Sequence, residues 1–171
     1  MDKRVSDEDI EKTILTYSDM LYKICFLILK NEQDVKDVLQ ETFIKYMTKS
    51  PAFESEEHKK AWLIKVSQNK CKEFLRFHKK HAALSLDEIE DFAVVTDGIE
   101  YERVELLSLV WNLNYKLKSV VILYYLEGYS VKDVAEMLGI SEASVKKRLE
   151  RARKELRIAI GMEGETSYER T

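Results

Sequence analysis

The sequence predicts an all-α protein built of two small helical domains, and three observations carry that expectation. The 171 residues contain one proline and five glycines, too few turn formers for a chain of short strands. Apolar residues recur at helical spacing through most of its length. Charge is segregated as well: the net value is only −3, yet a basic block lies directly beside an acidic one.

The first helical pattern begins near Ser6 and runs to about Lys30, with a break expected around Tyr17 and Ser18. Leu21, Ile24, Cys25, Leu27, Ile28 and Leu29 make its second half apolar nearly all round, which suits a helix at the centre of a core. A second helix runs from about Glu32 to Met47, with Val35, Val38, Leu39, Thr42, Phe43 and Tyr46 facing inward; Pro51 closes that element. A third helix spans roughly Lys59 to Lys80. Residues 82–98 read as a linker, with a short helical turn around Leu86 to Phe92. Helices near 99–113 and 116–127 follow. The expected division is a domain over 1–81, an acidic linker over 82–98, a second domain over 99–160 and a polar tail over 161–171.

The most specific local pattern lies between Tyr129 and Leu156. Ser130 and Asp133 have N-cap and N3 spacing, and Val131, Val134, Ala135 and Leu138 form a buried stripe. Gly139 stands where a helix ends in a left-handed residue, and Ser141 can cap the next helix. There Val145, Leu149, Ala152 and Leu156 make a narrow apolar face, with Ala143, Ser144, Lys147, Arg151 and Lys154 opposite. A short helix, a glycine turn and a polar-faced second helix describe a helix-turn-helix, whose second helix enters the DNA major groove. A surface helical hairpin with a solvated charged face is the competing explanation.

Composition excludes several classes. No uncharged apolar run is long enough to span a membrane, and MDKRVSDEDIEK lacks the apolar core of a signal peptide. Cys25 and Cys71 are far apart in the chain and in no metal-ligand spacing, so two reduced thiols in a cytoplasmic protein are expected. From His58 to His81 the charges are Lys59, Lys60, Lys65, Lys70, Lys72, Arg76, Lys79 and Lys80 against Glu73 alone. From Leu84 to Glu105 the sign reverses. Two basic blocks around an acidic one suggest two modules that each meet phosphate.

Two further surfaces stand out. Asp34, Asp37, Glu41 and Thr48 share the outer face of the second helix with Gln40 and Ile44. No histidine or second acidic cluster completes a metal shell there, so no metal and no cofactor is expected. An isoleucine ringed by carboxylates suits docking to a basic partner; a solvated face competes with that reading. On the third helix Lys65, Lys72, Arg76 and Lys79 line up, bordered by Trp62 and Asn69, with Phe53 in the loop before. Cations that track a backbone beside aromatic and amide groups suit single-stranded nucleic acid, although Trp62, Val66 and Phe77 could instead be core. His58, His78 and His81 lack partners for catalysis, and neither a phosphate loop nor a nucleophile elbow is present. No enzyme is expected.

DVKDVLQETFIKYM followed by AWLIKVSQNKCKEFLR resembles region two of the extracytoplasmic-function (ECF) sigma factors, and EGYSVKDVAEMLGISEASVKKRLERARKEL resembles their region four. The resemblance covers roughly residues 10–80 and 100–158. It implies a bacterial initiation factor that binds core RNA polymerase and directs it to promoters, usually with an anti-sigma factor as a further partner. By the same resemblance, Asp34, Asp37, Gln40, Glu41 and Ile44 dock on the polymerase clamp. Phe53 and Asn69 help hold a flipped base of the minus-ten element, with Trp62 beside them, while Lys65, Lys72 and Arg76 follow the opened strand. Ser144, Lys146, Lys147 and Arg151 meet the minus-thirty-five element, and Arg148 its phosphates. Ala143-Ser144, Lys147 and Glu150 depart from the usual family pattern. A helix-turn-helix repressor or response-regulator output domain remains the alternative.

Overall fold

A computed structural model describes residues 5–77 and 108–161. The linker, the helical turn expected within it, most of the helix expected over 99–113, residues Lys79 and Lys80, and the polar tail beyond Gly161 lie outside the described residues. The chain divides into two compact units, Met1–Gly98 and Ile99–Thr171.

In the first unit α1 (Asp7–Leu29), α2 (Glu32–Lys49) and α3 (Glu56–Phe77) pack pairwise against one another. Each start has its own cap: Ser6 accepts the Asp9 N–H, Asn31 that of Asp34 and Ser55 that of His58. α3 therefore begins three residues earlier than the apolar pattern suggests, because Ser55 followed by Glu56 and Glu57 is a stronger start than the first apolar position. The break expected at Tyr17 and Ser18 does not occur. Thr16 and Ser18 donate their hydroxyls back to the carbonyls of Lys12 and Ile14, so polar side chains are satisfied without interrupting α1. α1 stops at Lys30, which takes a left-handed conformation at φ 63°.

The core of this unit joins Leu21, Ile24, Phe26, Val35, Tyr46, Leu63 and Ile64. It also brings together the two cysteines that stand far apart in sequence. Cys25 of α1 and Cys71 of α3 are both free and buried, and their thiols touch. Burial first, then contact with Cys25, holds the Cys71 thiol well above its ordinary range, which keeps it protonated and unreactive.

In the second unit residues 108–111 are helical, followed by α4 (Tyr115–Val121), α5 (Val131–Leu138) and α6 (Glu142–Ala159). Asn114 caps α4 by accepting the Leu117 N–H at 3.1 Å. The helix expected over 116–127 does not stay α-helical. Ile122–Leu126 widen into a π turn, closed by the Glu127 N–H on the Ile122 carbonyl at 3.0 Å. Trp111, Val120, Ile122, Leu123, Val134, Val145 and Leu149 form the core. The buried stripe of α5 is Val134, Ala135 and Met137, with Val131 and Leu138 at its half-exposed margins.

Candidate nucleic-acid and docking interfaces

The loop from α2 to α3 is held by a partly buried polar cluster. The Tyr46 hydroxyl donates to Asp9, and Thr13 donates to Tyr46 at 3.2 Å. Lys59 reaches Asp9 at 3.3 Å, Thr13 at 3.4 Å and Glu56 at 3.6 Å, and its ammonium lies 5.6 Å from the centre of the Tyr46 ring. Tyr17 donates to Glu56 at 2.6 Å. Tyr46's bond, ahead of those from Lys59, holds the Asp9 carboxyl below its ordinary value against the opposing effect of burial. Glu56 is lowered chiefly by Tyr17 and then by Lys59. Burial, then the bond to Asp9, raises Tyr46. For Lys59, burial alone would lower the value, but the bonds and charges of Tyr46 and Asp9 outweigh it and the net shift is upward.

This cluster corrects the reading of the basic block. Lys59 is buried and committed to carboxylates, and half-buried Lys70 sits between Glu41 at 3.6 Å and Glu73 at 3.7 Å. What remains on the surface is narrower and better ordered. Lys65, Asn69, Lys72 and Arg76 are exposed and share one face of α3, with half-buried Trp62 one turn before them. Of the residues that core packing would claim, Val66 is buried but Phe77 is 81% exposed.

Phe53 is not a free stacking platform. Its ring stacks on Tyr46 at 6.2 Å and meets Trp62 and His58 edge-on at 5.6 and 5.3 Å. The ring is half-buried, and the aromatic cluster around it fixes where it stands. The stretch Tyr46, Phe53, His58 and Trp62 therefore forms a rigid aromatic corner at the start of the cationic face.

On α2, Asp37, Gln40, Glu41 and Ile44 stand at i, i+3, i+4 and i+7 and are all exposed, Ile44 by 46%. Asp34, at the same face's N-terminal end, is half-buried and its N–H is tied to Asn31. Asp37, Gln40 and Glu41 also border an open cleft of about 430 Å³ shared with Lys70, Phe74 and Phe77 of α3. Inward-facing Val35, Val38, Thr42 and Tyr46 explain why these side chains turn outward.

The helix-turn-helix is set by its caps. Ser130 accepts the Asp133 N–H and Ser141 that of Ser144, each at 3.1 Å. Gly139, at φ 67°, ends α5 with paired bonds from Gly139 to Glu136 and from Ile140 to Ala135. Val145, Leu149 and Ala152 face the core, which leaves Lys146, Lys147, Glu150 and Arg151 exposed. Ser144 and Arg148 are half-buried, and the Ser144 hydroxyl accepts from Ser141 at 2.9 Å. Arg153 turns back to the Tyr125 hydroxyl at 2.9 Å, so the π turn and α6 are tied together.

Comparison with known proteins places both units. The family model for sigma-70 region 2 matches residues 13–81, and that for sigma-70 region 4 matches residues 103–156. RNA polymerase sigma factor NccH of Alcaligenes xylosoxydans xylosoxydans is 32% identical over 134 residues, covering 73% of this chain and 72% of that protein. The chain belongs to the ECF sigma factors of the sigma-70 family.

RNA polymerase sigma factor SigV of Bacillus subtilis (strain 168) is 28% identical over 164 residues, or 95% of this sigma factor and 98% of SigV. The fold is shared with CnrH, solved with the cytosolic domain of CnrY (TM-score 0.66, 23% identity, 93% of this chain and 92% of that one). It is shared too with the sigma factor RpoE of Bartonella quintana, solved with the anti-sigma factor NepR (TM-score 0.69, 20% identity, 91% and 99%). A single chain matching region 2 and region 4 sets aside the repressor or response-regulator alternative, which would account for the helix-turn-helix alone. As an ECF sigma factor the protein directs RNA polymerase to promoters by binding, without a catalytic step of its own. Among the described residues no helix is long and apolar enough to cross a membrane.

Proposed function

We propose that this sigma factor grips the promoter at two places and the polymerase at a third, with residues 1–81 and 99–160 as the working domains. Asp34, Asp37, Gln40, Glu41 and Ile44 dock on core polymerase. Trp62, Lys65, Asn69, Lys72 and Arg76 take the opened minus-ten strand, and Phe53 walls the pocket for a flipped base. Ser144, Lys146, Lys147 and Arg151 read the minus-thirty-five duplex, with Arg148 on phosphate. The observation that carries this reading is the separation of two exposed faces within one small unit, an acidic face with Ile44 on α2 and a cationic face on α3. A basic partner and a polyanion can then bind that unit at once. Unstacking a base costs a few kcal/mol, and a preformed aromatic corner offsets part of it.

The complexes of CnrH with CnrY and of RpoE with NepR support an anti-sigma partner for this chain also. A cytoplasmic location follows from the function, and a membrane-held anti-sigma factor would place it at the inner surface. Transcription by core polymerase and this factor on promoters pre-melted across the minus-ten region tests the strand assignment. Asn69→Ala should lose transcription mainly on one base at the flipped position. An equal loss on all four bases would remove the base-specific role.

A further inference from the structure

We propose that His58 reads a base of the opened strand, one turn beyond the cationic face of α3; the inference rests on that face being the strand track. His58, Trp62, Lys65 and Asn69 stand at i, i+4, i+7 and i+11, so His58 continues the same face toward the start of the helix. Its imidazole is exposed, yet it is mounted rigidly. The backbone N–H of His58 donates to Ser55 Oγ at 3.1 Å. Its Nδ1 accepts the Glu54 N–H at 3.2 Å. Its ring stands at 87° to Phe53, which Tyr46 and Trp62 hold from other sides.

That arrangement sets the tautomer. A ring nitrogen that accepts a hydrogen bond carries no proton, so the neutral imidazole has its proton on Nε2. Among the described residues no side chain takes that proton. His58 therefore presents a single directed N–H donor on a fixed ring, beside an aromatic wall and ahead of a cationic track. Phosphate is better served by the flexible cations Lys65, Lys72 and Arg76. A fixed, directed donor suits an acceptor on the edge of an unstacked base, a purine N7 or a carbonyl oxygen.

The test uses holoenzyme assembled from the full chain and bacterial core polymerase, mixed with a fork template whose unpaired non-template strand is randomised. Bound strands are sequenced to give a base preference at each position. His58→Asn keeps an acceptor near the Glu54 N–H but removes the outer donor. His58→Gln gives up the loop bond and returns an N–H near the place of Nε2. His58→Asn should flatten the preference at one position by roughly fivefold, the worth of one directed hydrogen bond. His58→Gln should restore part of it, and affinity for core polymerase should stay the same in both. If His58 does no more than tie down the loop, His58→Asn will keep the wild-type preference everywhere, and the proposal falls. Lys65→Ala with Lys72→Ala separates this failure from a wider one. If that pair also leaves strand affinity unchanged, the track itself is misplaced and both assignments fall; if the pair weakens binding while His58→Asn is silent, only His58 is excluded.

Discussion

The first unit hangs its three helices on a charged cluster threaded between them, whereas the second secures its helix-turn-helix one end at a time. Lys59, Asp9, Tyr46, Thr13, Tyr17 and Glu56 come from α1, α2 and α3, and each needs the others in place. Asn114, Ser130, Gly139 and Ser141 each satisfy a backbone group within a few residues. A network of the first kind fixes the position of a loop that no single helix could hold, and the aromatic corner depends on that loop. Local caps fix only the angle between two helices, which is what a major-groove reader requires.

The largest expected effect tests whether docking belongs to the first unit alone. Asp37→Arg combined with Ile44→Asp should weaken binding to core polymerase by about a hundredfold, since it reverses a charge and buries another at the centre of the face. Circular dichroism and thermal unfolding should be unchanged, because both side chains are exposed. Wild-type affinity in this variant would move the docking face elsewhere.

Next comes the cluster itself. Lys59→Met should destabilise the first unit by about 2 kcal/mol, below the cost of breaking a fully buried pair because Asp9 remains partly hydrated. Hydrogen exchange should show faster opening in α1–α3 and no change in α5–α6. The same cluster makes the stability of the first unit depend on pH. Asp9 and Glu56 are lowered on folding, so their contribution is present above the ordinary carboxylate range and is lost as pH falls through their folded values. Lys59 and Tyr46 are raised, so theirs is present below about pH 10 and lost as pH rises through their folded values. Exchange rates followed at both extremes should show α1–α3 opening before α5–α6; uniform opening would remove the distinction between the units.

The caps come third. Ser141→Ala and Gly139→Ala should each cost the second unit about 1 kcal/mol, one by freeing the Ser144 N–H and the other by forcing a side chain into the left-handed region. Nothing lies within 4 Å of a Cβ at Gly139, so the backbone angle is the whole of that cost. Chemical denaturation should show the loss in α5–α6 alone.

The same contrast explains what was legible in the sequence. Ser130, Gly139 and Ser141 act on neighbours three or four residues away, and spacing alone reveals them. The outward turn of Ile44 follows from the inward periodicity of α2. Lys59 looks like one more surface lysine, because its partners Asp9 and Thr13 lie 50 and 46 residues away. Cys25 and Cys71 look unrelated for the same reason. The π turn at Ile122–Leu126 is hidden because its apolar residues suit an α-helix equally well; a widened turn leaves no mark on composition. His58 is missed because its value lies in a tautomer, and a tautomer depends on which backbone N–H it meets.

The smallest effect separates contacts that position α6 from those that read sequence. Lys146 and Lys147 are exposed on α6, whereas Arg148 is half-buried against the unit. A cation that neutralises one phosphate releases about one counterion, so Arg148→Ala should lower the salt slope of holoenzyme binding to the duplex minus-thirty-five element by about one. Its effect should be the same on every sequence. A lysine that meets a base edge instead changes the ranking of sequences and leaves the slope nearly untouched. Lys146 and Lys147 lie on the exposed face of α6, and replacing either with alanine is expected to alter the ranking. If both lysines change only the slope, specificity at this element must come from Ser144, Arg151 or the shape of the DNA rather than from the added charge at position 147.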